Sequence, residues 1–278
     1  MSDAPAASPD REEAARDSAN WARPVGRLNV QTVPDGALGL NMHGRHVQGP
    51  MQGFGPLWRK TYRVRLEGAS IGARELIGVW KARFPEFQPR ENRFFPSLVG
   101  IKPGELIFID AHLPIWPGVL GGMPVSAGVM VLYSDDESFT VMTPAGLPEA
   151  GWNTFSAHPD EDGVTVAQVQ SMARTSDPIF ELGFRMVGGA RQQEKIWAHV
   201  LTSLAAHFGV EATVKTELEC LDRSLQWSRA GNVWHNAIVR TVLYKLAAPG
   251  RWLLRLLNPK RAKSAAPASP SEPGPSNV

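Results

Sequence analysis

DPIFELGFRMVGGARQQEKIWAHVLTSLAAHFG, residues 177–209, decides how the rest of the chain is read. Ile196, Trp197, Val200, Leu201, Leu204 and Phe208 return on one side at helical spacing, which predicts an amphipathic helix over Arg191–Phe208. Gly209 follows and suits the left-handed residue that closes a helix. The apolar run Ile179–Val187 ahead of it reads as a strand, set off by Asp177-Pro178 and by Gly188-Gly189. A helix with one long apolar stripe needs an apolar surface to lie on.

The upstream sequence supplies that surface as strands. Trp58–Glu67 alternates, with Tyr62, Val64 and Leu66 on one side and Thr61, Arg63 and Arg65 on the other, so it reads as a half-exposed strand. Ser70–Phe84 reads as a helix through Ile71, Leu76, Ile77, Trp80 and Phe84, stopped by Pro85. Leu106–Ile109, Val129–Tyr133, Ser138–Met142 and Val164–Ala173 read as further strands joined by turns. Strand, helix, a run of antiparallel strands and a long helix last belong to the α+β class. The expectation is a curved antiparallel sheet gripping the Arg191–Phe208 helix, with room for a cavity between them.

Phe139–Phe155, FTVMTPAGLPEAGWNTF, and the stretch MARTSDPIFELGFRMVGGARQQEKIWAHVLTSLAAHF after it carry a likeness. Over residues 58–208 the order of elements resembles the START-like (SRPBCC, helix-grip) superfamily. Within it the chain is similar to a bacterial and plant subfamily with a YGTLPGHPERGEE-like motif, whose Gly, Leu, Pro and Gly stand here as Gly146, Leu147, Pro148 and Gly151. The Tyr, the His and the paired acids of that motif are replaced by Met142, Ala150 and Trp152-Asn153, so no role of theirs is carried over. The superfamily resemblance implies an apolar ligand held between sheet and helix. Fold likeness alone does not fix function.

The flanks divide the chain. Residues 1–25 read as a disordered arm, 26–210 as the domain, 211–263 as a basic amphipathic helical extension, and 264–278 as a second disordered tail. The 278 residues carry a net charge of +2, which singles out no nucleic-acid partner, but beyond Asp222 the one acid is Glu272 among many cations. Cys220 is the lone cysteine, so no internal disulfide forms, and no secretory leader is visible; both fit a cytoplasmic compartment.

Motifs for catalysis and cofactors are absent: no GxSxG elbow, P-loop or dinucleotide fingerprint is present, and His43 and His46 lack the further ligands of a zinc site. No cofactor is expected. The cavity lining expected from the pattern is Trp80, Phe84, Phe108, Trp116, Met130, Trp152, Met172, Trp197 and Leu201. Trp152 also reads as ordinary core, and Gly118–Pro124 as a flexible loop across the cavity opening. Asp110 and His112 share a face of one strand and are the candidates for acid–base work in a cyclase- or dehydratase-type enzyme, with a solvated strand end as the other reading. In the extension, Arg240, Lys245, Arg251 and Arg255 flank an apolar face that is broken at Pro249-Gly250 and continues through Trp252. That pattern suits an anionic membrane surface, and equally a helix docked on the domain. Three readings stand: a binding protein for an apolar or lipid-like molecule, an enzyme in the same cavity, and a membrane-surface adaptor.

Overall fold

Strand β1 (Leu57–Arg65) buries Tyr62 and Val64 on one side and turns Arg63 and Arg65 to the other, as its alternation predicts. In the computed structural model, which describes residues 18–35, 37, 41–97, 99–113, 123–186 and 189–246, it is one of eight strands in a single antiparallel sheet. The others are β2 (Arg93–Phe95), β3 (Leu106–Leu113), β4 (Met123–Ser134), β5 (Ser138–Met142), β6 (Glu149–Pro159), β7 (Thr165–Thr175) and β8 (Lys215–Asp222). The order across the sheet is β2-β3-β4-β5-β6-β7-β1-β8. Hairpins join β2 to β7 in sequence; β1 closes against β7, and β8 adds to the free side of β1. With helix α1 (Ala73–Ala82) and helix α3 (Gly189–His207) on one face, this is an α+β helix-grip architecture.

The long helix lies where its stripe requires. Val200, Leu201, Leu204 and Ala205 of α3 are completely buried, and Gly209 closes the helix at φ +74°. Leu76, Ile77 and Trp80 of α1 are equally buried, and the 3-10 turn Phe84–Phe87 carries two more rings inward. Inside, Phe139 and Phe155 stack with centroids 4.6 Å apart. Trp80, Phe84 and Trp197 approach Phe155 edge-on or tilted at 5.4, 5.4 and 5.7 Å. Such edge-to-face contacts add to the area buried by the rings. This half of the grip is therefore filled by the protein's own aromatic side chains.

The outer face of the sheet has its own core. Leu28, Met42, Phe108 and Met130 are buried together there, with Ala22, Val30, Val47 and Leu132 around them. Residues 18–22, expected in a disordered arm, are tied to β4. The Ala22 amide donates to the Leu132 carbonyl (2.8 Å), the Ser134 amide to the Asn20 carbonyl (3.0 Å), and Trp21 packs on Tyr133.

Two expected elements are overturned as well. Residues 178–186 form a helix, α2 (Pro178–Met186), where a strand over Ile179–Val187 was expected. Asp177 is the reason: its Oδ1 accepts from the amides of Ile179 (2.8 Å) and Phe180 (3.0 Å), and Pro178 occupies the first helical position. The Asp-Pro pair starts an element here instead of ending one. Residues 211–263 are also not helical throughout, because Lys215–Asp222 is β8. Leu218 and Cys220 alternate with Glu217 and Glu219, a period of two that the run of cations downstream obscured.

After β8 a 3-10 helix (Trp227–His235) leads into helix α4 (Ala237–Leu246). One compact unit runs to Ile238 and a second begins at Val239. Among the described residues no helix is long and apolar enough to cross a membrane.

Candidate functional site

The expected lining residues divide between the two faces. Trp80, Phe84, Trp197 and Leu201 belong to the grip. Phe108 and Met130 belong to the outer core. Trp152 and Met172 sit opposite each other in register and alternate with the inward Phe155 and Val169, so they too face outward. Trp152 and Met142 lie against Gly49 of the N-terminal segment. The sequence pattern identified apolar strand positions without their face, because both faces of this sheet are covered. Trp116 lies outside the described residues.

Asp110 and His112 are brought to the same strand, β3, at the register positions of Ser126 and Pro124. Ile109 packs into the grip, so Asp110 and its alternate neighbours face the other way. Asp110 therefore lies outside the space between sheet and α3, which removes the basis for acid–base work there. His112 is described for its backbone alone. In the second unit Arg240 is exposed on α4; the Lys245 side chain and Arg251, Trp252 and Arg255 fall outside the described residues.

Beside the aromatic cluster the grip turns polar. Lys60, Ser171 and Asn153 lie in one transverse register row on the inner face, next to the row Tyr62, Val169 and Phe155. Lys60 is 7% exposed, and its ammonium donates to Gln193 Oε1 of α3 and sits 3.6 Å from Glu149 Oε1. The Gln193 amide donates in turn to Glu149 Oε2. The cation also lies 5.8 Å from the Phe184 ring centroid of α2. A buried cation of this kind is held by its pairing and hydrogen bonds. The signal was present in β1: Lys60 has the same parity as Tyr62, Val64 and Leu66 and so had to point inward.

Near this closed Lys60–Gln193–Glu149 set, Tyr62 Oη, Asn153 Oδ1 and Trp197 Nε1 are buried with no hydrogen-bond partner among the described residues, as is Trp80 Nε1 deeper in the aromatic cluster. Tyr62 is completely buried. Burial, followed by the carboxylates of Glu194 and Glu149, pushes its phenol well above the ordinary tyrosine value, so it stays a neutral donor. Trp197 stands one helical turn beyond Gln193 and touches Phe155, which is two residues from Asn153. The site thus offers two N–H or O–H donors and one amide acceptor on an aromatic floor. Orphaned buried groups are costly and are normally satisfied by water or ligand.

A separate groove of about 870 Å3 opens at the far end of β1, among Arg63, Arg65, Asp160, Asp162, Glu211 and Glu217. Its two arginines are paired within the groove: Arg65 to Asp160 at 2.8 Å and to Asp162 at 3.0 Å, and Arg63 to Glu217 at 2.8 Å.

No family model matches the chain, and no curated protein is similar to it in sequence. Among solved structures it is similar to the di-domain ARO/CYC StfQ from the steffimycin biosynthetic pathway, at 12% identity and a TM-score of 0.41, over 56% of this chain and 53% of that one. The chain therefore spans about half the length of StfQ. It is also similar to the KanY protein (10% identity, TM-score 0.40, 54% of this chain and 96% of that). A third likeness is to Ara h 8.0201 (11%, 0.37, 55% and 97%). No residue role is carried across from any of them.

Proposed function

We propose that the protein binds a small, neutral, largely apolar molecule at the polar end of the grip. The observation that carries this reading is that Tyr62 Oη, Asn153 Oδ1 and Trp197 Nε1, from adjacent inner-face rows and the helix turn over Phe155, are buried with no hydrogen-bond partner among the described residues. A hydroxyl or carbonyl on the ligand completes these hydrogen bonds, and its apolar body lies on Phe155 and Trp197. An anionic head is disfavoured. Lys60 is already matched by Glu149, and Glu194 adds a further negative charge near Tyr62. The aromatic cluster occupies the remainder of that half, so the ligand is compact and not a long acyl chain. A START-like carrier of small apolar molecules fits these features.

The test is titration with 2-naphthol and, separately, 2-naphthoate, followed by tryptophan fluorescence and native mass spectrometry. 2-Naphthol should bind and should bind more weakly to Tyr62→Phe and Asn153→Ala; 2-naphthoate should bind poorly. Equal binding of the two, or affinity unaffected by both substitutions, would sink the proposal.

A further inference from the structure

Several large apolar side chains are left in water on three segments that hold one another. Ile179, Leu182 and Met186, spaced i, i+3 and i+7, form one stripe of α2 and are 43, 58 and 72% exposed. Trp227 and Trp234 of the neighbouring 3-10 helix are 70 and 79% exposed, and Met51 of the 3-10 turn Pro50–Gln52 is 73% exposed. The segments are tied at short range. The Asn232 side-chain amide donates to the carbonyls of Gln52 and Ser176, both at 2.8 Å. The Asn236 amide donates to Asp177 Oδ2 (2.8 Å), and the Gln226 N–H to the Phe54 carbonyl (2.7 Å). An apolar patch of this extent on fixed elements marks an interaction surface.

The exposed charges of the segment that carries Trp227 and Trp234 are basic. The acids at the base of the patch are turned in and used: Asp177 caps α2, and Glu181 accepts from Thr175 and Arg185. Arg223 and Arg229 are exposed, and from Arg223 to Lys245 the sequence holds no acid. Tryptophan, methionine and leucine beside Arg223 and Arg229, which make no ion pair among the described residues, suit the headgroup region of an anionic bilayer, where the indole takes the interface and the cations gain from the surface potential. A protein partner of matching shape would have to supply acids for these arginines, whereas an anionic bilayer supplies them everywhere.

We infer that the face built from α2, Trp227–His235 and Pro50–Gln52 docks on anionic membrane. This surface belongs to the compact unit ending at Ile238 and is distinct from the basic Trp/Leu stretch at residues 251–257. It stands independently of the interior ligand site.

The experiment is co-flotation of the full chain with phosphatidylcholine vesicles, with and without phosphatidylserine. Wild type should float with the phosphatidylserine vesicles, with a blue-shifted tryptophan emission. The double substitution Trp234→Ser/Met186→Ser should weaken that binding by about tenfold or more, with the far-UV circular dichroism and thermal midpoint retained. Arg229→Glu, which leaves the apolar residues in place, should weaken it in a salt-dependent way. Absence of wild-type binding overturns the inference, as does unchanged binding in the folded double variant. Loss of binding in Arg251→Glu/Arg255→Glu alone, with the face variants unaffected, overturns it in favour of the tail. A dimer that the double variant dissolves, without vesicle binding, overturns it in favour of a second copy of the chain.

Discussion

The Tyr62 hydroxyl is buried near two carboxylates and has no hydrogen-bond partner among the described residues. Removing it removes an orphaned polar group, so Tyr62→Phe should stabilise the unliganded protein by about 1 kcal/mol, read from urea unfolding. A clear loss of stability would show that the hydroxyl has an internal partner. Asp177 makes a second prediction, with a sign. Burial raises its carboxyl above the usual range, against the pull of the Phe180 amide, the Asn236 side chain and the Ile179 amide. A carboxyl raised on folding contributes stability that is complete below its unfolded value, about 3.9, and is lost as pH rises through the folded value. Asp177→Asn keeps a capping oxygen and abolishes the titration. The urea midpoint of wild type relative to this variant should therefore decline as the pH rises above about 4 and level off once the folded value is passed. At this scale the sequence is readable where parity rules: Lys60 follows from Tyr62 and Val64. It is not readable for Asn153 and Glu149, whose strand holds Gly, Asn, His and Pro among its apolar residues and so shows little alternation.

Elements succeed or fail on their boundary chemistry. The helix over residues 189–207 was legible because its stripe is long and its closing glycine conventional. Helix α2 was misread because an apolar nonapeptide has no decisive period, leaving the Asp-Pro pair to arbitrate. The turn between β5 and β6 depends on Gly146, at φ +99°, whose missing Cβ leaves room for the His235 carbonyl at 2.0 Å from where that carbon would be. Its own carbonyl accepts from the Ala237 amide at 2.9 Å. Gly146→Ala should cost roughly 1–3 kcal/mol and should raise hydrogen exchange at Ala237. Strand β8 is pinned by Arg174, which is 2% exposed and pairs with Asp222 while donating to the carbonyls of Gly55 (2.7 Å) and Ser224 (3.2 Å). Arg174→Met should cost roughly 3 kcal/mol. Exchange should rise along residues 215–222 more than along β7, and an even rise across the sheet would contradict the pinning role.

In the compact unit that ends at Ile238 the sheet is covered twice, by α1 and α3 on one side and by Ala22, Leu28, Val30, Met42 and Val47 on the other. That double cover explains how the α+β class could be read from the order of elements while half of the expected cavity lining went to the wrong side. Phe155 sits at the centre of the inner cluster, so Phe155→Ala should cost about 3–5 kcal/mol. Met42→Ala on the outer face should cost about 2–5 kcal/mol. Each should shift the circular dichroism and tryptophan fluorescence transitions together, because one sheet carries both cores. Separate transitions would mean that the faces unfold independently. The order of the strands also has a consequence for synthesis. Strand β1 leaves the ribosome first, yet its partners are β7 and β8, more than a hundred residues later. Until Asp222 has emerged, one side of Leu57–Arg65 stays open, and a chain stopped ahead of Lys215 keeps that ladder of N–H and C=O groups as a template for other chains. Nascent or prematurely terminated molecules should therefore aggregate through β1, and the last strand protects the first.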